Sequence, residues 1–266
     1  MNGKDWILAS ALIAIMILLY FIADSMAVIF GIAVLLILVI YSYKSFSNKL
    51  TNSDKNTLNL FNQLESLFSV YDNIDLNFPL PKFGVWAISP DLAQLITTIV
   101  LEKRPKFILE TGSGISSLII GYCLKKNGLG RLISLEHQEE YMWKNSSAVE
   151  QHQLKEYVEI LYTPLKNIQI NKKNWLWYDF NTDKKIDLLI VDGPPKTTQH
   201  HARYPALPEF FDYLSDEAII ILDDAARPDE REIIDLWLEK YPCFDYEYHD
   251  LDRGAVLLKR KPILKS

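Results

Sequence analysis

The sequence predicts a doubly wound, mostly parallel α/β sheet of seven strands, preceded by a two-helix transmembrane hairpin. Three observations carry this. From residue 89 onward, short branched-apolar runs alternate with helical segments at the spacing of βαβ units. The chain closes on two strands joined by Asp252-Arg253-Gly254, a hairpin-like turn that adds an antiparallel edge. The first 43 residues hold only three charges, Lys4, Asp5 and Asp24.

Residues 6–23 and 27–43 are apolar runs on either side of Asp24-Ser25-Met26. At about 1.5 Å per residue each spans roughly 26 Å, close to the hydrocarbon thickness of a bilayer. A carboxylate at mid-bilayer costs about 2.5–3.5 kcal/mol, which disfavours one deep helix through Asp24. Placing Asp24 and Ser25 at the far interface makes a hairpin. Lys4 precedes the first run and Lys44, Lys49 and Lys55 follow the second, so both ends, and the domain beyond them, are expected on the cytoplasmic side. A signal peptide would have a shorter apolar region ending at a small-residue cleavage site; one span plus an interfacial helix is the other alternative. The expected division is a membrane anchor over 1–45, a juxtamembrane linker or helix over 46–85 with a weakly amphipathic stretch at 58–68, and a folded α/β domain over 86–266.

Ser89-Pro90-Asp91 starts a helix that continues to Glu102. Phe107–Glu110 is a short strand, followed by Thr-Gly-Ser-Gly and a helix from about Ile115 to Lys126, stopped by Gly128 and Gly130. Arg131–Glu136 is a second strand, then come a helix over about 138–152 and a strand Val158–Tyr162. Lys185–Val191 is dense in branched apolar residues, as buried parallel strands are. A helix over 205–214, a strand Ala218–Leu222, a helix over 229–240 and strands near 244–250 and 255–260 complete the domain. Trp175, Trp177 and Tyr178 precede the fourth strand and read as core more readily than as pocket lining.

Composition narrows the function. Of 266 residues, 49% are hydrophobic and 23% charged, enough for one ordinary core and too apolar for a disordered chain. Residues 44–266 carry 27 Lys+Arg and 32 Asp+Glu, a net charge of −5 that offers nothing to a polyphosphate backbone, so no nucleic-acid partner is expected. Cys123 and Cys243 lie far apart without zinc-ligand spacing, which fits a reducing compartment.

In such sheets ligands bind beyond the carboxyl ends of the strands, where strand order reverses. Glu110-Thr111-Gly112-Ser113-Gly114 ends the first strand; its glycines permit a sharp turn and close ligand approach, and the following helix directs free N–H groups at the ligand. Ser117 stands where a dinucleotide fingerprint has its third glycine. Glu110 is placed to accept hydrogen bonds from a ligand amine. Glu136 ends the second strand, 24 residues after Gly112, where an acid commonly binds both ribose hydroxyls; His137 follows it. Asp192 ends the fourth strand in Val-Asp-Gly-Pro-Pro, and Asp223-Asp224 end the fifth. Three converging carboxylates repel one another unless a cation or a proton intervenes, and oxygen-only ligands suit Mg²⁺. The alternative gives Asp223 a cofactor-side hydrogen bond and Asp224 a helix-capping role before Pro228. Lys196, His200 and His201, in the loop after Asp192, are candidates to take a proton from a substrate hydroxyl.

Taken together, ETGSG, Glu136, the order Val-Asp-Gly, Arg-Tyr, Leu-Asp-Asp, and the closing hairpin resemble a class I S-adenosylmethionine-dependent methyltransferase over about residues 86–266, in particular its catechol O-methyltransferase-like branch. The resemblance implies S-adenosylmethionine bound by Glu110, Thr111, Gly112, Ser113, Gly114, Ser117, Glu136, His137 and Asp192. It further implies Mg²⁺ held by Asp192, Asp223 and Asp224, with Lys196 the nearest match to the branch's base. The loop after Val-Asp-Gly is longer here than in that branch and carries Pro-Pro. The acceptor expected is a small-molecule, glycan or lipid-borne hydroxyl near a membrane. Two other readings share parts of this pattern: an NAD(P)-dependent oxidoreductase, against which stand the missing glycine and the closing hairpin, and a membrane scaffold that has kept the fold and lost the chemistry.

Overall fold

The computed structural model describes residues 3–22, 25–83 and 87–261. The chain divides into two compact units, Met1–Phe61 and Asn62–Ser266.

The first unit holds α1 (Gly3–Ile22) and the greater part of α2 (Ser25–Asn73). Side chains such as Trp6, Ile7, Leu18, Phe30, Leu36 and Ile40 are exposed, as they are on helices that are apolar all round. Among the described residues, 30–73 is the one helix long and apolar enough to cross a membrane; the apolar part of α1, Trp6–Leu19, is shorter. Asp24, at the expected turn, lies outside the described residues. Gly31 of α2 faces Met16 of α1 so closely that a Cβ there would stand 2.8 Å from Met16 Cε. A small residue lets two helices approach in this way. The stretch at 58–68, expected in a juxtamembrane linker or helix, is helical and lies within α2.

The second unit is a seven-stranded sheet in the order β3-β2-β1-β6-β7-β9-β8. Its strands are β1 (Phe107–Thr111), β2 (Arg131–Glu136), β3 (Val158–Tyr162), β6 (Ile186–Val191), β7 (Leu214–Asp223), β8 (Phe244–His249) and β9 (Ala255–Arg260). The first five of these are parallel, and β9 pairs antiparallel with both β7 and β8. Alternation along each strand separates two cores. Ile108, Leu132, Leu188, Ile190, Ile219 and Ile221 pack against α3 (Pro90–Lys103), α4 (Ile115–Asn127) and α5 (Glu139–Gln151). Leu109, Leu135, Leu189, Val191, Ile220 and Leu222 pack against α6 (Ala206–Phe210) and α7 (Pro228–Lys240).

The second face also receives β4 (Leu165–Ile170) and β5 (Lys173–Tyr178), an antiparallel hairpin separate from the main sheet. The sequence reading leaves 163–184 without strands. Both turn residues, Asn171 (φ 51°) and Lys172 (φ 64°), have positive φ, as a two-residue type I′ turn requires. Lysine is a poor advertisement for that turn. Trp175 and Trp177, buried on the hairpin, belong to the core, as expected.

Candidate active site

Strand order reverses between β1 and β6, so their carboxyl ends open one crevice. The two loops that leave it are stitched together: Asp192 N–H donates to Thr111 O (3.0 Å), and Thr111 Oγ1 donates to Gly193 O (3.0 Å). Gly112 turns here at φ 91°, and a Cβ on it would lie 3.2 Å from Gly193 N and 3.3 Å from Asp192 C. Only glycine meets both demands. Nothing lies within 4 Å of where a Gly114 Cβ would be, so the loop presents bare backbone to open space at the start of α4.

Glu110 is fully buried beneath this loop. It accepts a 2.5 Å hydrogen bond from Ser117 Oγ, which in turn accepts from Gly114 N–H (3.2 Å). Its Oε1 has no hydrogen-bond partner among the described residues. Burial pushes its pKa up, against hydrogen bonds from Ser116, Ser117 and Ser134. The structure thus places Glu110 as a support of the glycine loop.

Glu136, at the end of β2, accepts from Ser113 Oγ (2.9 Å) and Gln138 N–H (2.9 Å), with His137 Nδ1 3.2 Å away. Burial alone would raise its pKa, but the adjacent His137 and the hydrogen bonds from Gln138 N–H and Ser113 outweigh it and hold the carboxyl below its ordinary value. Asn145 of α5 donates to Ser113 Oγ (2.7 Å) and fixes the contact from the other side. Seven of the expected cofactor-side residues, Glu110, Thr111, Gly112, Ser113, Gly114, Ser117 and Glu136, therefore lie on this loop and the adjoining strand ends, held by separate sets of hydrogen bonds, and His137 adjoins them.

Asp192, Asp223 and Asp224 converge as expected: one carboxylate oxygen from each lies within 4.8 Å of the others. Sequence reasoning passed over the cation already among them. The buried guanidinium of Arg203 donates from Nη2 to Asp192 Oδ1 (3.0 Å), Asp192 O (2.8 Å) and Asp224 Oδ2 (2.8 Å), and from Nη1 to Asp223 O (2.8 Å). Arg227 adds a second cation 2.6 Å from Asp224 Oδ2. Even so, burial and the neighbouring Asp223 push the Asp192 pKa well up, and burial and Asp224 raise that of Asp223. The available signal was an arginine set in the apolar run Ala202–Leu207, where only buried acids would keep it.

Asp223 Oδ2 and Asp224 Oδ1 are buried with no hydrogen-bond partner among the described residues. Arg203 engages the other Asp224 oxygen, and Asp223 Oδ1 accepts from Asp224 N–H (2.7 Å). Oxygen atoms left over in an all-carboxylate set fit a hard divalent cation.

The three candidate bases are placed differently from one another. Lys196 is exposed in the loop after Asp192. His200 and His201 turn to the start of α7, where His200 Nε2 lies 3.1 Å from Asp229 Oδ1 and His201 Nε2 lies 2.7 Å from Glu232 Oε2.

Comparison with known proteins agrees with this geometry. Residues 109–225 match the protein family described as "Methyltransferase domain". The chain is similar in fold to the SAH-bound methyltransferase PaMTH1 of Podospora anserina, with 16% identity over 81% of this chain and 97% of that one and a TM-score of 0.55. Other similar structures include an O-methyltransferase from Bacillus cereus in complex with SAH (17% identity, 76% and 90% of the two chains, TM-score 0.49). TomG of Streptomyces achromogenes, in complex with SAM, is a further one (14%, 75% and 89%, TM-score 0.48). No curated protein matches the sequence. Residues 109–225 thus match a methyltransferase domain, and the chain shares its fold with PaMTH1.

Proposed function

We propose that the protein is a membrane-anchored O-methyltransferase that transfers the methyl group of S-adenosylmethionine to a small-molecule, glycan or lipid-linked hydroxyl, by the reaction of the catechol O-methyltransferase-like branch. The observation that carries the reading is the juxtaposition at β1 and β6. The glycine loop and Asp192 are neighbours, so a cofactor on the loop and an acceptor at the carboxylate trio would share one crevice.

The residues divide the work. The bare backbone at Gly112 and Gly114 would hold the cofactor at the mouth of α4, and the ionised Glu136 would accept hydrogen bonds from its ribose. Transfer is a one-step displacement in which an acceptor oxygen attacks the sulfonium methyl in line, and most of the catalytic benefit comes from holding the two in register. Asp192, Asp223 and Asp224 would hold Mg²⁺, which supplies polarisation and orientation of the hydroxyl when bound. Arg203 keeps the Asp192 and Asp224 carboxylates fixed relative to each other. Lys196, exposed beside the crevice, is the strongest candidate to accept the hydroxyl proton, because both histidines are occupied at α7.

The anchor reading is supported by the apolar, exposed helices of the first unit and by the close approach of Gly31 to Met16, which suits two antiparallel spans. Both chain ends and the catalytic domain would then be cytoplasmic. A tether of this kind favours an acceptor borne on or near the membrane.

The test is transfer of tritiated methyl from S-adenosylmethionine to membrane and cytosol extracts assayed separately, followed by identification of the product. Label in an O-methyl ether or ester from membranes is expected. Label found only on nitrogen overturns the O-methyltransferase reading, and label confined to cytosolic products overturns the membrane acceptor.

A further inference from the structure

Away from the carboxylate trio, the loop between β6 and α6 meets the first turns of α7 in a cluster of two histidines and two acids. His200 Nε2 lies 3.1 Å from Asp229 Oδ1 and 3.8 Å from Glu232 Oε2; His201 Nε2 lies 4.0 Å and 2.7 Å from the same two atoms. Asp229 and Glu232 are three residues apart on one helical face, so both carboxylates point the same way. The two imidazoles lie with centroids 3.7 Å apart and planes tilted by 33°, and both present Nε2 to the same oxygens. His201 takes up its place at φ 55°, a conformation that a residue with a side chain seldom adopts, and its backbone N–H is held by Asp229 Oδ2 (3.0 Å).

We propose that His200, His201, Asp229 and Glu232 form a zinc-type site for a first-row divalent transition metal. Ligand bonds of about 2.0–2.2 Å in a tetrahedron put neighbouring donor atoms about 3.4 Å apart. The four nitrogen–oxygen separations, 2.7, 3.1, 3.8 and 4.0 Å, bracket that edge. A single cation would draw these donors to one separation, with the two imidazole rings splaying apart from their 3.7 Å spacing and Glu232 joining the group that His200, His201 and Asp229 already form. Two imidazolium rings at this separation would repel each other, whereas a metal takes both rings neutral and still balances the two carboxylates. Imidazole nitrogen in the donor set separates this site from the all-oxygen trio of Asp192, Asp223 and Asp224, which suits a hard cation. Four protein ligands leave no open position, the mark of a structural site. Its work is mechanical: it ties the loop that carries Lys196 and Arg203 to α7, reinforcing the hydrogen bond from Trp237 Nε1 to Tyr204 O (2.8 Å).

The test is a Co²⁺ titration of the metal-stripped full-length protein in detergent, read by visible absorption. One equivalent should develop the intense bands of tetrahedral cobalt, Zn²⁺ should bleach them, and excess Mg²⁺ should leave them. D223N should keep the signal, and H200A and H201A should each weaken binding at least tenfold. The His200 side chain is 67% exposed, so H200A decides the matter even if H201A fails to fold. Saturating Zn²⁺ should raise the thermal midpoint of the wild type by about 5–10 °C at a hundredfold excess over Kd, and that of H200A much less. Absence of tetrahedral bands, an unchanged signal in H200A, or loss of the signal in D223N overturns the proposal.

Discussion

Replacing Arg203 with Met would remove the guanidinium while keeping most of its apolar bulk. Four hydrogen bonds of 2.8–3.0 Å disappear, two to the carboxylates of Asp192 and Asp224 and two to the carbonyls of Asp192 and Asp223. Breaking a buried ion pair by removing one partner costs about 3–5 kcal/mol, because the other charge stays buried without compensation. For a domain of this size that lowers the thermal midpoint by about 6–20 °C. The loss should also depend on pH. The carboxyls of Asp192 and Asp223 are already raised, first by burial and then by neighbouring acids, and Arg203 opposes that rise. A carboxyl whose folded pKa is raised leaves stability intact below its unfolded pKa and removes it as pH climbs through the folded value. Without Arg203 the folded values go higher, so the variant's deficit should be largest at neutral and alkaline pH and shrink toward about pH 4–5. Urea unfolding followed by tryptophan fluorescence, at pH 5 and pH 8, reads both effects. A deficit under about 1 kcal/mol, or one equal at the two pH values, would refute the view that Arg203 is the resident countercharge.

Gly112→Ala should cost about 1–3 kcal/mol, since it combines a positive φ with a Cβ at 3.2 Å from Gly193 N, and calorimetry should find S-adenosylmethionine binding abolished. Glu136→Gln should weaken cofactor binding about tenfold to a hundredfold, the worth of one hydrogen bond to a charged group. The wild-type carboxyl, held low, contributes stability that is present above its ordinary pKa and lost as pH falls through the folded value, so the variant's stability should change less between pH 6 and pH 3 than the wild type's. Asp223→Asn keeps the acceptor for Asp224 N–H and removes a buried charge whose protonation burial and Asp224 already favour; it should raise stability at neutral pH, read by urea unfolding, while abolishing any EDTA-sensitive methyl transfer. Deleting residues 1–43 should move the protein from the membrane pellet to the supernatant on fractionation, and its retention in the pellet would defeat the anchor.

What could be read from the chain alone was what short-range chemistry dictates. Alternating apolar runs set the strands, because a period of two puts every second side chain in a core. The glycines of ETGSG marked the loop, because Gly112 needs a conformation that other residues avoid. Acids at strand ends marked the crevice, because parallel strands end on one edge. The tertiary structure decided what depends on partners distant in sequence. Arg203 and the trio it joins span residues 192–224, and nothing local says which of the loop's cations turns inward. His200 and His201 look like bases in the sequence, but their geometry is set by Asp229 and Glu232, about thirty residues away on α7. That Glu110 is buried and accepts from Ser117, at the start of α4, likewise depends on how the strand and helix pack. The β4–β5 hairpin was hidden because its turn is closed by Asn171 and Lys172 without glycine, so packing of Trp175 and Trp177 against the sheet had to supply what the turn does not announce. Side-chain type and spacing determine which surface a segment can bury; only the folded chain determines which charge meets which, because electrostatic partners are chosen by distance in space.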